Sequence, residues 1–197
     1  MIKRIVLYSL LFTSLLSVSA YAGTDDETAY ALNTLLFLVS GFLVMLMAAG
    51  FCMLESGMVT SKSVSTIAAK NIGLYSIAGL MFWVIGYNVA YGIPEGGYIG
   101  SFTPWSDASA IDTGYSDGSD WFFQMVFCAT TVSIVSGTLA ERIKIWPFFL
   151  FAAILTGIIY PIEMGWQWGG GWLSAAGFSD FAGSTLVHAA GGAAALA

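Results

Sequence analysis

His188 is the single histidine of this sequence, and it falls inside a long apolar stretch. Burial in a bilayer disfavours the imidazolium, so a neutral ring is expected there. A neutral imidazole can accept a hydrogen bond or a proton. An ionisable group at membrane depth is a functional candidate by default. The plainer reading is a histidine that only hydrogen-bonds a neighbouring helix. Asp180, Ser184 and His188 recur every four residues, which predicts one helix face. At 1.5 Å per residue, His188 is expected about 12 Å in from Asp180, near the midplane. Gly183, Gly191 and Gly192 leave room beside that face for a lumen or a close helix. Asp180 itself is expected to cap the helix amino terminus. Phe123 and Phe127 stand four apart on another apolar run, with Phe127 roughly 10 Å below its outer end. Trp168 precedes Gly169, Gly170 and Gly171. Each aromatic alone reads as an interfacial belt or lipid packing. Ordered by depth they trace a path, with Trp168 outermost, the phenylalanines below and His188 deepest.

Those side chains must be carried by membrane helices. The 197 residues are 57% hydrophobic and 9% charged, with mean hydropathy +0.80. Soluble domains carry about 25% charged residues. The composition therefore predicts an all-α membrane protein, a multi-span helical bundle, and argues against a soluble enzyme, a disordered tail or a nucleic-acid binder. The net charge of -6 also disfavours a polyanion partner. Two cysteines cannot build a disulfide scaffold and one histidine cannot build a multi-histidine metal site, so no metal or cofactor is expected. Five apolar stretches run roughly over 32–54, 71–92, 121–139, 145–162 and 181–197. The first four are long enough to cross a ~30 Å hydrocarbon core. None contains Asp, Glu, Lys or Arg, which argues against an intramembrane enzyme; Glu55, Glu141, Glu163 and Asp180 fall at the edges. The fifth is still apolar at Ala197, so the chain is expected to be a fragment cut inside a membrane helix.

Residues 1–22 read as a secretory signal peptide, leaving 23–197 as the transmembrane domain. Lys3 and Arg4 form a basic start, Ile5 to Val18 an apolar core, and Ala20-Tyr21-Ala22 a cleavage pattern. An uncleaved first helix is the alternative. Cleavage would leave the mature amino terminus outside. Lys62 and Lys70, expected between the first two spans, and Arg142 and Lys144, between the third and fourth, then all face the cytoplasm. The loop 93–120 holds acids and no base, so it faces out. The expected location is the cell membrane (inner or plasma), as a multi-pass protein. Other signals are weaker. Gly57 to Ser63 approaches a P-loop, but Ser61 replaces the required glycine and no strand precedes it. Cys52 and Cys128 differ by nearly 20 Å in expected depth, beyond disulfide reach. Thr130, Thr131, Ser133, Ser136 and Thr138 read as helix-packing polar groups.

Several segments resemble the ammonium transporter (Amt/Mep/Rh) family. They are Leu139-Ala140-Glu141-Arg142-Ile143, Trp168-Gly169-Gly170-Gly171, and the run from Asp180-Phe181-Ala182-Gly183 to His188. Ala49-Gly50-Phe51 to Glu55-Ser56-Gly57, with Ser61-Lys62, is similar to its first helix and loop. The tryptophan before three glycines points to the Amt branch. The resemblance implies about eleven helices in two inverted five-helix repeats, assembled as a homotrimer with one pore per subunit. This chain would supply the first five-helix repeat. By motif, Phe127 and Trp168 resemble the outer site that recruits ammonium, Phe123 and Phe127 the stacked phenyl gate, and His188 the first of two pore histidines. The second histidine belongs to a later helix. The resemblance also implies a PII-type regulatory protein as cytoplasmic partner.

Ammonium chemistry suits those residues. A cation–π contact is worth ~0.5–2 kcal/mol. Moving such an ion to low dielectric ideally costs about 20 kcal/mol. A few rings cannot offset that, so the bare cation should not cross. Loss of the proton removes most of the cost, and a neutral imidazole beyond the gate can receive a hydrogen bond or the proton. Potassium would meet the same aromatics with no proton to lose. The alternative is an ammonium sensor of the same fold coupled to a signalling domain.

Overall fold

The computed structural model describes residues 25–197. The predicted signal peptide, 1–22, lies outside the described residues. Four helices are long and apolar enough to cross a membrane. Helix α1 is Asp26–Met58. Asp25 starts it, its carboxylate accepting from the Thr28 N–H at 2.8 Å. Helix α2 covers 64–91, α3 is Asp117–Thr138 and α4 covers 145–167. A short helix, α5 (Trp172–Ala175), and a last one, α6 (184–196), follow.

Helix α3 is the axis of the bundle. Val126, Cys128, Ala129, Val132 and Val135 on it are all but fully buried. Helices α1, α2, α4 and α6 each pack against it. Leu32, Leu36, Leu43 and Leu46 of α1 instead stand more than half exposed, an apolar face suited to lipid. Thr130, Thr131 and Ser133 are buried in the packed bundle, and their hydroxyls return to carbonyls four residues back on α3 itself.

The helices outrun the apolar windows. Lys70 lies within α2 rather than in a connecting loop. Glu55 is 3% exposed and Lys70 4%, and they form an ion pair at 3.0 Å. Lys70 also donates to the Ser136 carbonyl at 2.8 Å, and Asn71 donates to Glu55 at 3.1 Å. Asp120 and Glu163 likewise lie within helices. For Lys70 and Asp120 a neighbouring helix supplies the partner, Glu55 or Tyr87, and no hydropathy window sees that partner. Lys62, Lys70, Arg142 and Lys144 gather at this basic end. There, the Glu141 carboxylate accepts from Thr60 and Ser63, which holds its pKa below the ordinary glutamate range and ties the 1–2 and 3–4 connections together. The opposite, acidic end carries Glu95, Asp107, Asp112 and Asp117 and no base among the described residues.

Helices α2 and α4 each contain one turn of π-helix, at Phe82–Gly86 and Leu155–Ile159. The two wide turns pack on one another. Such turns often mark functional regions. Further along, Gly165 of α4 and Gly169, just past its end, lie directly against the backbone of Ala90 on α2.

Candidate functional site

Phe123 and Phe127 stand one helical turn apart on α3, and their rings meet edge to face at 5.1 Å. Phe127 meets Trp168 in the same way at 5.6 Å. Trp168 follows the last turn of α4 and is fixed by its indole N–H, which donates to the Asp180 carbonyl at 2.7 Å. The three rings form one wall of a cavity of about 370 Å³ at the acidic end. Phe37, Tyr87, Tyr91, Tyr115 and Phe181 complete its aromatic lining. Phe37 bridges two of these groups, meeting Tyr115 at 4.8 Å and Phe123 at 5.2 Å. Rings from three helices and three connecting segments thus surround a space large enough for a small cation with some water.

Asp180 does not share a helix face with Ser184 and His188, because α6 begins only at Ser184. Its carboxylate instead accepts four backbone N–H groups ahead of that helix. Gly183 and Ser184 donate to Oδ1 at 2.8 and 3.1 Å, Thr185 and Leu186 to Oδ2 at 2.7 and 2.9 Å. The chain reaches this geometry through Gly183 at φ +84°, a left-handed conformation that glycine adopts without strain. Burial pushes the Asp180 carboxyl up, but the four donors prevail and hold it below the ordinary aspartate range. The cap therefore contributes stability above the unfolded-chain pKa of about 3.9 and loses it as pH falls through the lower folded value. Asp180→Ala should lower stability by about 1–3 kcal/mol, as for a buried cap that leaves its donors unpaired. A thermal melt at neutral pH checks this, and the deficit should shrink in strong acid.

Gly183 also joins the two ends of the expected path. A Cβ there would lie 3.2 Å from the Trp168 ring, and the Gly183 carbonyl faces His188 Nδ1 at 3.1 Å. A carbonyl only accepts, so Nδ1 carries the proton and Nε2 presents the lone pair. His188 sits on a π-turn, Ser184–Ala189, whose Leu186 and Val187 are fully buried against the bundle. That rotation leaves His188 exposed on α6. His188 does not line the aromatic cavity, and it lies one turn into α6. Gly191 is a close helix contact, its Cβ position 2.9 Å from the Thr131 carbonyl of α3, whereas Gly192 faces open space.

Sequence reasoning missed the polar side of the cavity. Asp120 lines it at 5% exposure, accepting from the Tyr87 hydroxyl at 2.6 Å and from the Gln124 amide at 3.2 Å. The one available signal was Asp120 and Gln124 standing four apart beside Phe123.

A sequence profile described as Ammonium Transporter Family matches residues 35–197. Over 176 residues the chain is 40% identical to "Ammonium transporter Amt2" of Archaeoglobus fulgidus, with 81% of this chain and 36% of that one covered. It is 34% identical over 184 residues to an ammonium transporter of Aquifex aeolicus, covering 90% of this chain and 44% of the relative. The chain thus spans about two fifths of the length of the curated relatives it matches. Among solved structures, one titled "Sensor Amt Protein" superposes with a TM-score of 0.74 at 34% identity, over 81% of this chain and 41% of that one. Saccharomyces cerevisiae Mep2 superposes with a TM-score of 0.73 at 26% identity, over 88% and 40%.

Proposed function

This chain belongs to the ammonium transporter family, a multi-pass membrane family, and from that premise we propose that the protein carrying it moves ammonium across the membrane. Ammonium is recruited as the cation between Phe127 and Trp168. It loses its proton at the Phe123–Phe127 gate and continues as ammonia past His188. The single observation that carries this reading is the unbroken edge-to-face series Phe123–Phe127–Trp168 along one cavity wall.

Each part answers a physical requirement. Aromatic faces hold a small cation at ~0.5–2 kcal/mol per contact, enough to concentrate it but far below its dehydration cost. Proton loss lifts that cost. The free Nε2 lone pair of His188 then offers the departing proton, or ammonia itself, an acceptor. The acidic end faces outside and draws cations, while the basic end faces the cytoplasm, as the positive-inside rule requires. The same reading makes the protein a homotrimer of the cell membrane, with a PII-type protein as its cytoplasmic partner. The likeness to a protein titled as a sensor rests on the same helices as the likeness to transporters, so it does not favour a signalling role.

Methylammonium uptake by cells expressing the whole protein tests the proposal. Trp168→Ala and His188→Ala should each cut uptake about tenfold or more, that is ~1.4 kcal/mol or above. Unchanged uptake and currents in both variants would overturn it.

A further inference from the structure

The aromatic cavity has one charged wall. Asp120 is nearly fully buried, yet it meets no cation among the described residues. Its partners are neutral, the Tyr87 hydroxyl and the Gln124 amide. Every lysine and arginine among the described residues lies at the other end of the bundle, and the one ion pair among them, Lys70–Glu55, is there too. A buried carboxylate without a counter-ion is costly. Here it faces a cavity whose other lining residues, apart from Gln124, are aromatic rings, whose π-faces attract cations.

Resting on the reading above, we propose that Asp120 is the counter-charge of the aromatic cavity. It binds a small monovalent ammonium ion jointly with Phe127 and Trp168, and it sets the affinity of capture rather than the rate of crossing. The hydrogen bonds from Tyr87 and Gln124 leave lone pairs on both carboxylate oxygens, since each oxygen accepts one bond. They also hold the group still, so the ion finds an ordered partner. A charge acting at the entrance stabilises the bound ion but not the neutral ammonia that moves on. Its removal therefore raises KM and spares the maximal rate.

The test is methylammonium uptake kinetics in the whole protein, with membrane abundance measured alongside. Asp120→Asn keeps the shape and an acceptor for Tyr87 while removing the charge. It should raise KM about tenfold with the maximal rate within about twofold. Asp120→Glu keeps the charge and should hold KM within about threefold. Asp112→Asn, in the exposed connection between α2 and α3, should leave KM unchanged. Three outcomes overturn the proposal: an unchanged KM in Asp120→Asn, a fall in maximal rate alone, or an equal KM rise in Asp112→Asn, which would assign the effect to the general surface field. If Asp120→Asn fails to accumulate, Asp120→Glu decides, because a tenfold KM rise with the charge retained would show a purely structural role. Trp168→Ala runs in parallel. If it weakens uptake while Asp120→Asn does not, the counter-charge is wrong and the transport reading stands; if neither matters, the transport reading itself falls.

Discussion

Lys70→Met should destabilise the bundle by about 3–5 kcal/mol, because it strands Glu55 as a buried, uncompensated charge. Both side chains are no more than 5% exposed, and they lie 3.0 Å apart. Lys70 also satisfies the Ser136 carbonyl on α3 and lies 5.1 Å from the centre of the Phe148 ring of α4, so one ammonium on α2 reaches three other helices. Asn71 would remain as the sole hydrogen-bond donor to Glu55. A thermal melt in detergent reads the loss, and the double variant Glu55→Leu/Lys70→Met should recover most of it, since an apolar pair avoids the desolvation cost. A single variant melting with the wild type would show that the pair contributes nothing.

Gly169→Ala is expected to be comparably severe and to abolish uptake as well. A Cβ on Gly169 would lie 2.0 Å from the Ala90 carbonyl oxygen, an obstacle of backbone that cannot rotate away. Overpacking costs typically 1–3 kcal/mol, and the upper end applies when two helices must separate. Trp168 is the adjacent residue, so separating α4 from α2 also draws its indole from Phe127. Gly170 makes the control. Its φ is +77° but open space surrounds it, so Gly170→Ala should cost only about 1 kcal/mol of backbone strain. Uptake that falls equally in both variants would refute the packing argument.

These residues show what the sequence could and could not disclose. The apolar runs located α1 to α4, because a bilayer demands about 20 apolar residues per crossing whatever else the protein does. The helix ends were misplaced at Lys70 and Asp120, where the deciding partner, Glu55 or Tyr87, sits on another helix. Phe123 and Phe127 were legible as neighbours from their spacing. That Phe37, Tyr87, Tyr91 and Tyr115 share their cavity was not, since three separate segments deliver them. The exposed position of His188 was also hidden. It depends on where α6 starts, and the Asp180 carboxylate together with Gly183 delays that start to Ser184.

The paired π-turns carry one more consequence. Each adds a residue without ending its helix, so everything beyond it is turned by about 100° relative to an uninterrupted α-helix. Tyr87 and Tyr91 lie beyond the turn in α2, and Trp168 beyond the turn in α4. The phase in which these rings meet the cavity is therefore fixed by residue count. A one-residue deletion in either turn would swing them aside with every aromatic still in the sequence, so this architecture can drift in composition far more readily than in length.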